Sequence, residues 1–405
     1  MKIMQINAVC NIGSTGRTTI ELADVLKEYG HEYFIVYSEK LKYGEHENLY
    51  RIGTPLDKKV HAFLSRLFGL QAYFSHLATY KLLKYIDRIK PEIITLRNLH
   101  GNYINLKMLL NYIAKRNIPT VAVLHDCWFY TGKCCHYTTE GCQKWQTGCY
   151  SCPKLKKDNK SWFFDRTKKV YKDKKRLFGK INNLAVIGVS DWVTNEAKKS
   201  FFKDARIVKR IYNWVHTDIF KPTESNLRDT LNLNGKFVIL GVVSGWVLEK
   251  GTLDFIKLSE KLASDFKIVL VGKINAEIKL PDNIINLKET DNLAELAKYY
   301  SMADLFLNLS YQETFGKVTA EALSCGTPAI VYDTTACPEL IGENCGYVVP
   351  VSDVEALYEK ILKISENGKS FYSDFCIKHA RENFEYKKNA LEYIDLYKEM
   401  LVNKE

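Results

Sequence analysis

The chain has 405 residues, a length suited to two or three domains rather than one. Its 46% apolar and 26% charged residues match folded globular proteins and exclude disordered, collagen-like and disulfide-scaffold readings; no stretch reaches the roughly 18 apolar residues of a membrane helix. The net charge of +11 divides unevenly, because residues 1–220 carry 37 Lys and Arg against 19 Asp and Glu while residues 221–405 carry 21 against 28, so the first half suits an anionic partner such as lipid headgroups, phosphates or nucleic acid.

Both halves repeat one pattern: a short run rich in Val, Ile and Leu, a turn residue, then an amphipathic stretch. Alternating strands and helices imply parallel sheets covered on both faces, and two such repeats predict two doubly wound α/β domains. Ligands in such sheets bind beyond the carboxyl ends of the strands, so two facing domains would place a cleft there.

In the first half the predicted strands are 3–7, 32–37, 93–96, 120–124 and 184–189. The N-terminus reads as the first strand rather than a signal peptide, which predicts a cytosolic address. Gly13-Ser14-Thr15-Gly16-Arg17 follows that strand and opens a helix, so its glycines let the backbone approach a ligand closely, although no Gly-Lys-Ser/Thr closes it as a Walker loop. Residues 60–89 offer an apolar surface through Phe63, Leu67, Phe68 and Phe74. After strand 93–96 the polar run Asn98 to Tyr103 suits either an acceptor contact, through His100 and Tyr103, or loop capping. His125-Asp126 ends the next strand, where a histidine either satisfies a loop carbonyl or meets a ligand.

Five of the 11 cysteines then crowd into Cys134, Cys135, Cys142, Cys149 and Cys152. In a cytosolic chain such a cluster points to metal rather than to disulfides. Cys134, Cys142, Cys149 and Cys152 are the expected ligands of a structural zinc, with Cys135 and His136 as alternates and reduced, packed thiols as the competing reading. Residues 154–176 follow with 11 Lys and Arg against 3 Asp and Glu, interleaved with Trp162, Phe163 and Phe164. Such a run is either a solvated face or a surface for anionic membrane.

Residues 214–235, with Pro222, read as the connection between domains 1–213 and 236–380. The second set of strands is 237–243, 267–271, 304–309 and 329–332, and residues 382–404 look helical without revealing which domain they join. Ser244, Gly245 and Lys250 open the loop after the first of these strands, where an ammonium can neutralise a diphosphate leaving group. The sharpest stretch is Ser310-Tyr311-Gln312-Glu313-Thr314-Phe315-Gly316-Lys317-Val318-Thr319-Ala320-Glu321, which runs from strand through polar loop into helix. Eight residues of helical rise put Glu313 and Glu321 at most roughly 12 Å apart, about the span from a nucleotide's ribose to the sugar beyond its diphosphate. The helix start between them exposes free N–H groups to phosphate or a polar sugar.

This stretch closely resembles the Glu-x7-Glu signature of retaining glycosyltransferase family 4, whose members have the GT-B fold of two Rossmann-like domains. The similarity extends upstream through residues 294–306. The resemblance implies transfer of a sugar from a nucleoside diphosphate sugar to a hydroxyl, without a catalytic metal. It gives Glu313 the donor sugar, Glu321 the ribose hydroxyls, His125 a contact near the reacting carbon and Lys250 the diphosphate. Donor contacts at Gly16, Arg17, Ser244, Thr314, Phe315 and Gly316 follow from the same likeness. Gly245 departs from the pattern, since members usually carry Arg five residues before the Lys; Arg17 is expected to supply some of the missing charge. The cysteine-rich stretch 125–149 looks like an insert of capsular and colanic-acid-type members, which implies surface polysaccharide assembly on a lipid-linked acceptor at the inner membrane face.

Three other classes compete. An epimerase of the same fold would lack an acceptor, a zinc-containing nucleic-acid binder would leave the second domain unused, and a dinucleotide oxidoreductase would need a Gly-x-Gly-x-x-Gly turn that Gly13 to Arg17 does not supply. No nucleic-acid partner is therefore expected.

Overall fold

Thirteen strands form two parallel sheets among the described residues, which are 1–39, 46–275 and 277–402 of a computed structural model. The chain divides into two units, Met1–Ile211 with Ala390–Glu405, and Tyr212–Asn389.

The first unit holds seven strands: β1 (Lys2–Ile6), β2 (Glu32–Tyr37), β3 (Leu49–Arg51), β4 (Ile93–Leu96), β5 (Thr120–Leu124), β6 (Leu184–Gly188) and β7 (Ile207–Arg210), in the order β3-β2-β1-β4-β5-β6-β7. Strands β4, β5 and β6 are buried along their whole length, as sheets covered on both faces require. The helix Gly13–Glu28 covers part of the sheet through Ile20, Leu22, Ala23, Val25 and Leu26. Truncating one such leucine to alanine costs about 2–5 kcal/mol. Its N-terminal turn is tied to the sheet by Asn7, whose Nδ2 donates to the Thr15 carbonyl at 3.2 Å and to Thr19 Oγ1 at 2.9 Å.

The second unit holds β8 (Phe237–Gly245), β9 (Phe266–Lys273), β10 (Ile284–Leu287), β11 (Leu305–Asn308), β12 (Ala329–Tyr332) and β13 (Gly346–Val349), ordered β10-β9-β8-β11-β12-β13. Each sheet reverses its winding once, between β1 and β4 in the first and between β8 and β11 in the second. These are the points where a doubly wound sheet opens a crevice for ligand.

The sequence patterns predict nine of these strands. The four they miss, β3, β7, β10 and β13, are the four sheet edges. An edge strand has less apolar surface to hide: β3 and β7 have no buried residue, and β10 and β13 have one each.

The expected connection 214–235 is part of the second unit rather than a free linker. Trp214 and Phe220 are buried, the Thr223 amide donates to Ser301 Oγ at 3.0 Å, and Arg228 pairs with Asp304. The expected helix 382–404 divides as well. Lys369–Phe384 ends one helix in the second unit, and Tyr386–Val402 forms another whose residues from Ala390 onward belong to the first. There Tyr397 hydrogen-bonds Thr95 at 2.9 Å, and Asn183 Nδ2 donates to the Met400 carbonyl at 2.9 Å. Residues 403 and 404 of that expected segment lie outside the described residues.

Candidate active site

In the second unit, the loops after β8 and β11 meet at the switch point. Pairing of β8 with β9 shifts register between Val242 and Gly245, so the strand end that carries Ser244 turns out of the ladder, with Ser244 exposed. Lys250 follows in the short turn Leu248–Lys250, closed by Gly251 at φ +73°. A Cβ at Gly251 would come within 2.4 Å of the Leu309 carbonyl, so only glycine lets the two loops touch here. The Tyr311 amide donates to the Glu249 carbonyl at 2.9 Å and fastens that contact.

The loops bring Lys250 Nζ to 2.5 Å from Glu313 Oε1, both side chains being partly exposed. The Glu313 backbone is fixed on two sides: its N–H donates to Thr335 Oγ1 at 2.8 Å and its carbonyl accepts from the Ala336 amide at 3.3 Å. Beneath the loop, buried Asp254 accepts from Tyr311 at 3.0 Å, Tyr332 at 2.7 Å and Ser352 at 3.2 Å. A buried carboxylate saturated by three hydroxyls holds its neighbours firmly. Asp254, Tyr332 and Ser352 do not stand out in the sequence, because the tie joins four separated segments.

Gly316, at φ +86°, starts the helix Lys317–Ser324, which has no side-chain N-cap hydrogen bond. The Thr319 amide donates back to the Gly316 carbonyl at 2.9 Å, so what this helix start offers an anion is chiefly the positive end of its dipole. Glu321 on that helix is buried and accepts from Tyr300 at 2.9 Å. The Phe315 side chain is buried between Tyr212 and Phe384, so an expected donor contact there falls to its backbone. An apolar ring beside a sharp glycine turn gains more from the core than from the polar loop.

In the first unit, Gly16 is buried near the start of the helix Gly13–Glu28, where a Cβ would stand 3.1 Å from the Asn11 amide nitrogen. Arg17 beside it is half-buried. His125, at the end of β5, is buried, and Arg97 Nη1 donates to its Nε2 at 3.0 Å. Burial, and then the Arg97 charge, push the His125 pKa down to about 3, so its ring is neutral near pH 7. Arg97 also holds Gln5 Oε1 at 3.0 Å and Thr18 Oγ1 at 3.2 Å, yet its buried Nη2 has no hydrogen-bond partner among the described residues. It is the functional candidate the sequence reading misses. An arginine directly after a fully buried strand, at a switch point, was the available signal.

His100 Nε2 lies 2.8 Å from Asp126 Oδ2. Burial would raise the Asp126 carboxyl, but His100 and the Trp128 amide outweigh it and bring its pKa to about 2. Burial likewise opposes charge on His100, and Asp126 and Cys135 overcome it, holding His100 well above the usual histidine range. Tyr103 departs from its expected acceptor contact: it is buried, and its hydroxyl donates to the Asn98 carbonyl at 2.9 Å, so it shapes the loop. Gln71 links this region to a cavity of about 360 Å³ lined by Ser65, Arg66, Asn102, Lys160 and Trp162. Its Nε2 donates to the His100 carbonyl at 2.7 Å and its Oε1 accepts from Trp128 at 2.7 Å.

Cys134, Cys142, Cys149 and Cys152 line one small cavity. Cys135 and His136, the expected alternates, do not; the Cys135 sulfur instead lies 4.0 Å from His100 Nε2. His100, Asp126 and Cys135 are, among the described residues, the one group of three candidate metal-ligand atoms lying within 4.8 Å of one another.

Residues 15–219 match the family model Glycosyltransferase Family 4, and residues 223–383 match Glycosyl transferases group 1. A protein of Escherichia coli K12 named for colanic acid biosynthesis, the glycosyl transferase WcaC, is 24% identical over 377 residues, covering 89% of this chain and 90% of that one. N-acetyl-alpha-D-glucosaminyl L-malate synthase of Bacillus anthracis is 27% identical over 200 residues, 46% of this chain and 51% of that one, so the match spans about half of that relative's length. Among solved structures, Anabaena HepE in complex with UDP and glucose superposes with a TM-score of 0.65 at 17% identity, over 98% of this chain and all of that one. At that identity the superposition speaks for the GT-B fold alone.

Proposed function

The chain belongs to glycosyltransferase family 4, and from that premise we propose that it moves a sugar, with retention of anomeric configuration, from a nucleoside diphosphate sugar to a hydroxyl of a saccharide acceptor. The observation that carries this reading is the Lys250–Glu313 pair at a sheet switch point, beside an uncapped helix start. In the reaction, charge builds on the leaving diphosphate and on an oxocarbenium-like sugar. Lys250 and the positive end of the helix dipole after Gly316 offset the first; Glu313, freed from Lys250 as the diphosphate takes that ammonium, orients the second. Glu321 accepts from the ribose hydroxyls, with its carboxylate aimed by Tyr300. Within the first unit, His125 holds a neutral ring at the end of β5, and Arg17, in the helix that follows β1, is a half-buried cation. With cationic groups and a helix dipole supplying the charge offset, the transfer needs no divalent metal.

The acceptor is a lipid-linked saccharide of bacterial surface polysaccharide assembly, met at the membrane. The relative named for colanic acid biosynthesis supports the pathway. The polar cavity beside His100 is large enough for part of a saccharide. The exposed rings of Phe63, Trp162, Phe163 and Phe164, set in a basic half, support attachment to an anionic surface. No helix among the described residues is long and apolar enough to cross a membrane.

The test is a donor panel. Purified protein in chelator, with nucleoside diphosphate sugars and membrane lipid extract, is expected to release nucleoside diphosphate from one donor and to attach that sugar to a lipid-extractable product. Loss of both signals in Glu313→Gln supports the site. Release of a free epimer in place of a sugar conjugate would overturn the transferase reading.

A further inference from the structure

The cysteine-rich insert plays no part in the donor chemistry, yet its sulfurs are the most concentrated soft ligands in the chain. All of its cysteines are free thiols. We propose that Cys134, Cys142, Cys149 and Cys152 bind a zinc ion as thiolates, forming a structural metal site that fastens the insert to the first unit.

The four side chains come from 19 residues of sequence and line one cavity of about 20 Å³, room for a single ion or water. Cys149 and Cys152 flank a tight turn with Ser151 at φ +43°, a bend that brings the two ends of a Cys-x2-Cys pair to one side. Cys152 and Cys134 are close enough to influence one another's ionisation. An amide already faces one of the sulfurs: the Gly132 N–H donates to Cys149 Sγ at 3.1 Å. Gly132 is needed for that approach, since a Cβ there would stand 2.8 Å from the Cys149 Cβ. N–H donors of this kind favour thiolate over thiol and orient metal ligands.

The independent observation is charge. Lys133 and Lys174 are both buried, and neither lies within 4.0 Å of a carboxylate among the described residues. Lys133 Nζ donates to the carbonyls of Lys154, Leu155 and Lys157, and Lys174 Nζ to those of Trp128 and Thr131. The ionisable groups facing Lys133 are Cys152, Cys134, Asp158 and Asp165; those facing Lys174 are Cys149, Asp126, Cys135 and Cys134. A buried ammonium needs a compensating negative charge. Asp126, Asp158 and Asp165 supply part of that charge, and thiolates of the cluster would add to it.

The insert also needs a fastener. Residues 127–166 contain two three-residue helical turns, Thr138–Glu140 and Lys144–Gln146, and no strand. No three of the four sulfurs lie within 4.8 Å of one another, whereas ligands around one zinc are about 3.8 Å apart. Binding therefore draws the sulfurs inward by side-chain rotation.

Metal analysis of the full-length protein, purified without chelator, is expected to find one zinc per chain, and added cobalt(II) should give the thiolate-to-metal absorption of a tetrahedral site. Cys142→Ser and Cys149→Ser should each lose the bound metal, while Cys127→Ser and Cys135→Ser keep it. Thiol titration should find these four sulfurs reactive only after the metal is stripped. Should either serine variant fail to fold, cobalt uptake by the reduced wild-type chain still decides the matter. Metal-free protein without a cobalt–thiolate band, two disulfides by intact mass, or metal lost equally from Cys135→Ser would each overturn the assignment. None of these readouts depends on the donor reaction.

Discussion

Arg97 Nη1 donates to His125 Nε2 at 3.0 Å inside the first unit, with both side chains buried. Burial and the neighbouring guanidinium bring the folded-state pKa of His125 to about 3, against about 6.5 in an unfolded chain. Between those values the unfolded chain binds the extra proton and the folded one does not. Stability contributed by the neutral ring is complete above about pH 6.5 and falls as pH drops, by at most about 1.4 kcal/mol per pH unit. His125→Gln cannot titrate, so its stability should decline less between pH 7 and pH 5, by up to about 2 kcal/mol. Denaturant unfolding of both proteins at the two pH values measures this. Parallel decline in the two would show that His125 is not buried neutral.

Lys250 and Glu313 predict a split between binding and turnover. Lys250→Met removes a charge-assisted contact to the diphosphate and should weaken binding of the nucleoside diphosphate product about 10- to 100-fold. Glu313→Gln leaves that ammonium free, so product binding should hold or tighten while kcat falls roughly 100- to 1000-fold. Calorimetry with the product, beside initial rates, separates the two effects. Equal loss of product affinity in both variants would mean that the pair acts only as a structural tie.

Arg97 and the two rings show where legibility ends. Central strands such as β4, β5 and β12 read directly, because strands buried on both faces are nearly continuous apolar runs. The edges β3, β7, β10 and β13 carry little of that signal. Glu313 and Glu321 are proposed from their spacing at a strand–loop–helix junction, and Lys250 from its place in the loop after an apolar strand. Arg97 is not legible in this way, since its meaning comes from contacts with Gln5, Thr18 and His125, far apart in sequence. Phe315 and Tyr103 sit in polar, loop-rich stretches, and nothing local says that each turns into the core. For the cysteines, spacing identified the right four for one cavity, but only the fold separates Cys135 from them.

Gly245 stands where an arginine would be usual, and the surroundings leave room for one. A Cβ there meets nothing within 4 Å, and the residue does not adopt a positive φ. Gly245→Arg should therefore fold normally and add a cation at the carboxyl end of β8. Binding of the nucleoside diphosphate is expected to tighten about tenfold, the worth of one exposed charge-assisted contact, with the gain shrinking as salt rises. Unchanged affinity across salt concentrations would show that the diphosphate does not lie over this strand end.

The aromatic loop 162–164 docks on the helix Pro55–Phe68, with the Trp162 amide donating to the Arg66 carbonyl at 2.7 Å and the Trp162 ring meeting Phe63 edge-on at 5.7 Å. Phe163 is left 68% exposed, Phe63 52% and Phe164 45%, and the Arg166 guanidinium sits 5.4 Å from the Phe164 ring. Rings that project beside fixed cations suit a headgroup boundary, where burying one phenylalanine contributes about 1.5–3 kcal/mol and each basic residue about 1 kcal/mol. Phe163→Ser should weaken binding to anionic phospholipid vesicles about tenfold or more, and neutral vesicles or high salt should weaken it in wild type. Flotation with vesicles of both compositions tests this without any enzymatic step. If Phe163→Ser floats as wild type does, or if wild type ignores lipid charge, the patch serves another purpose and the acceptor must reach the enzyme from solution.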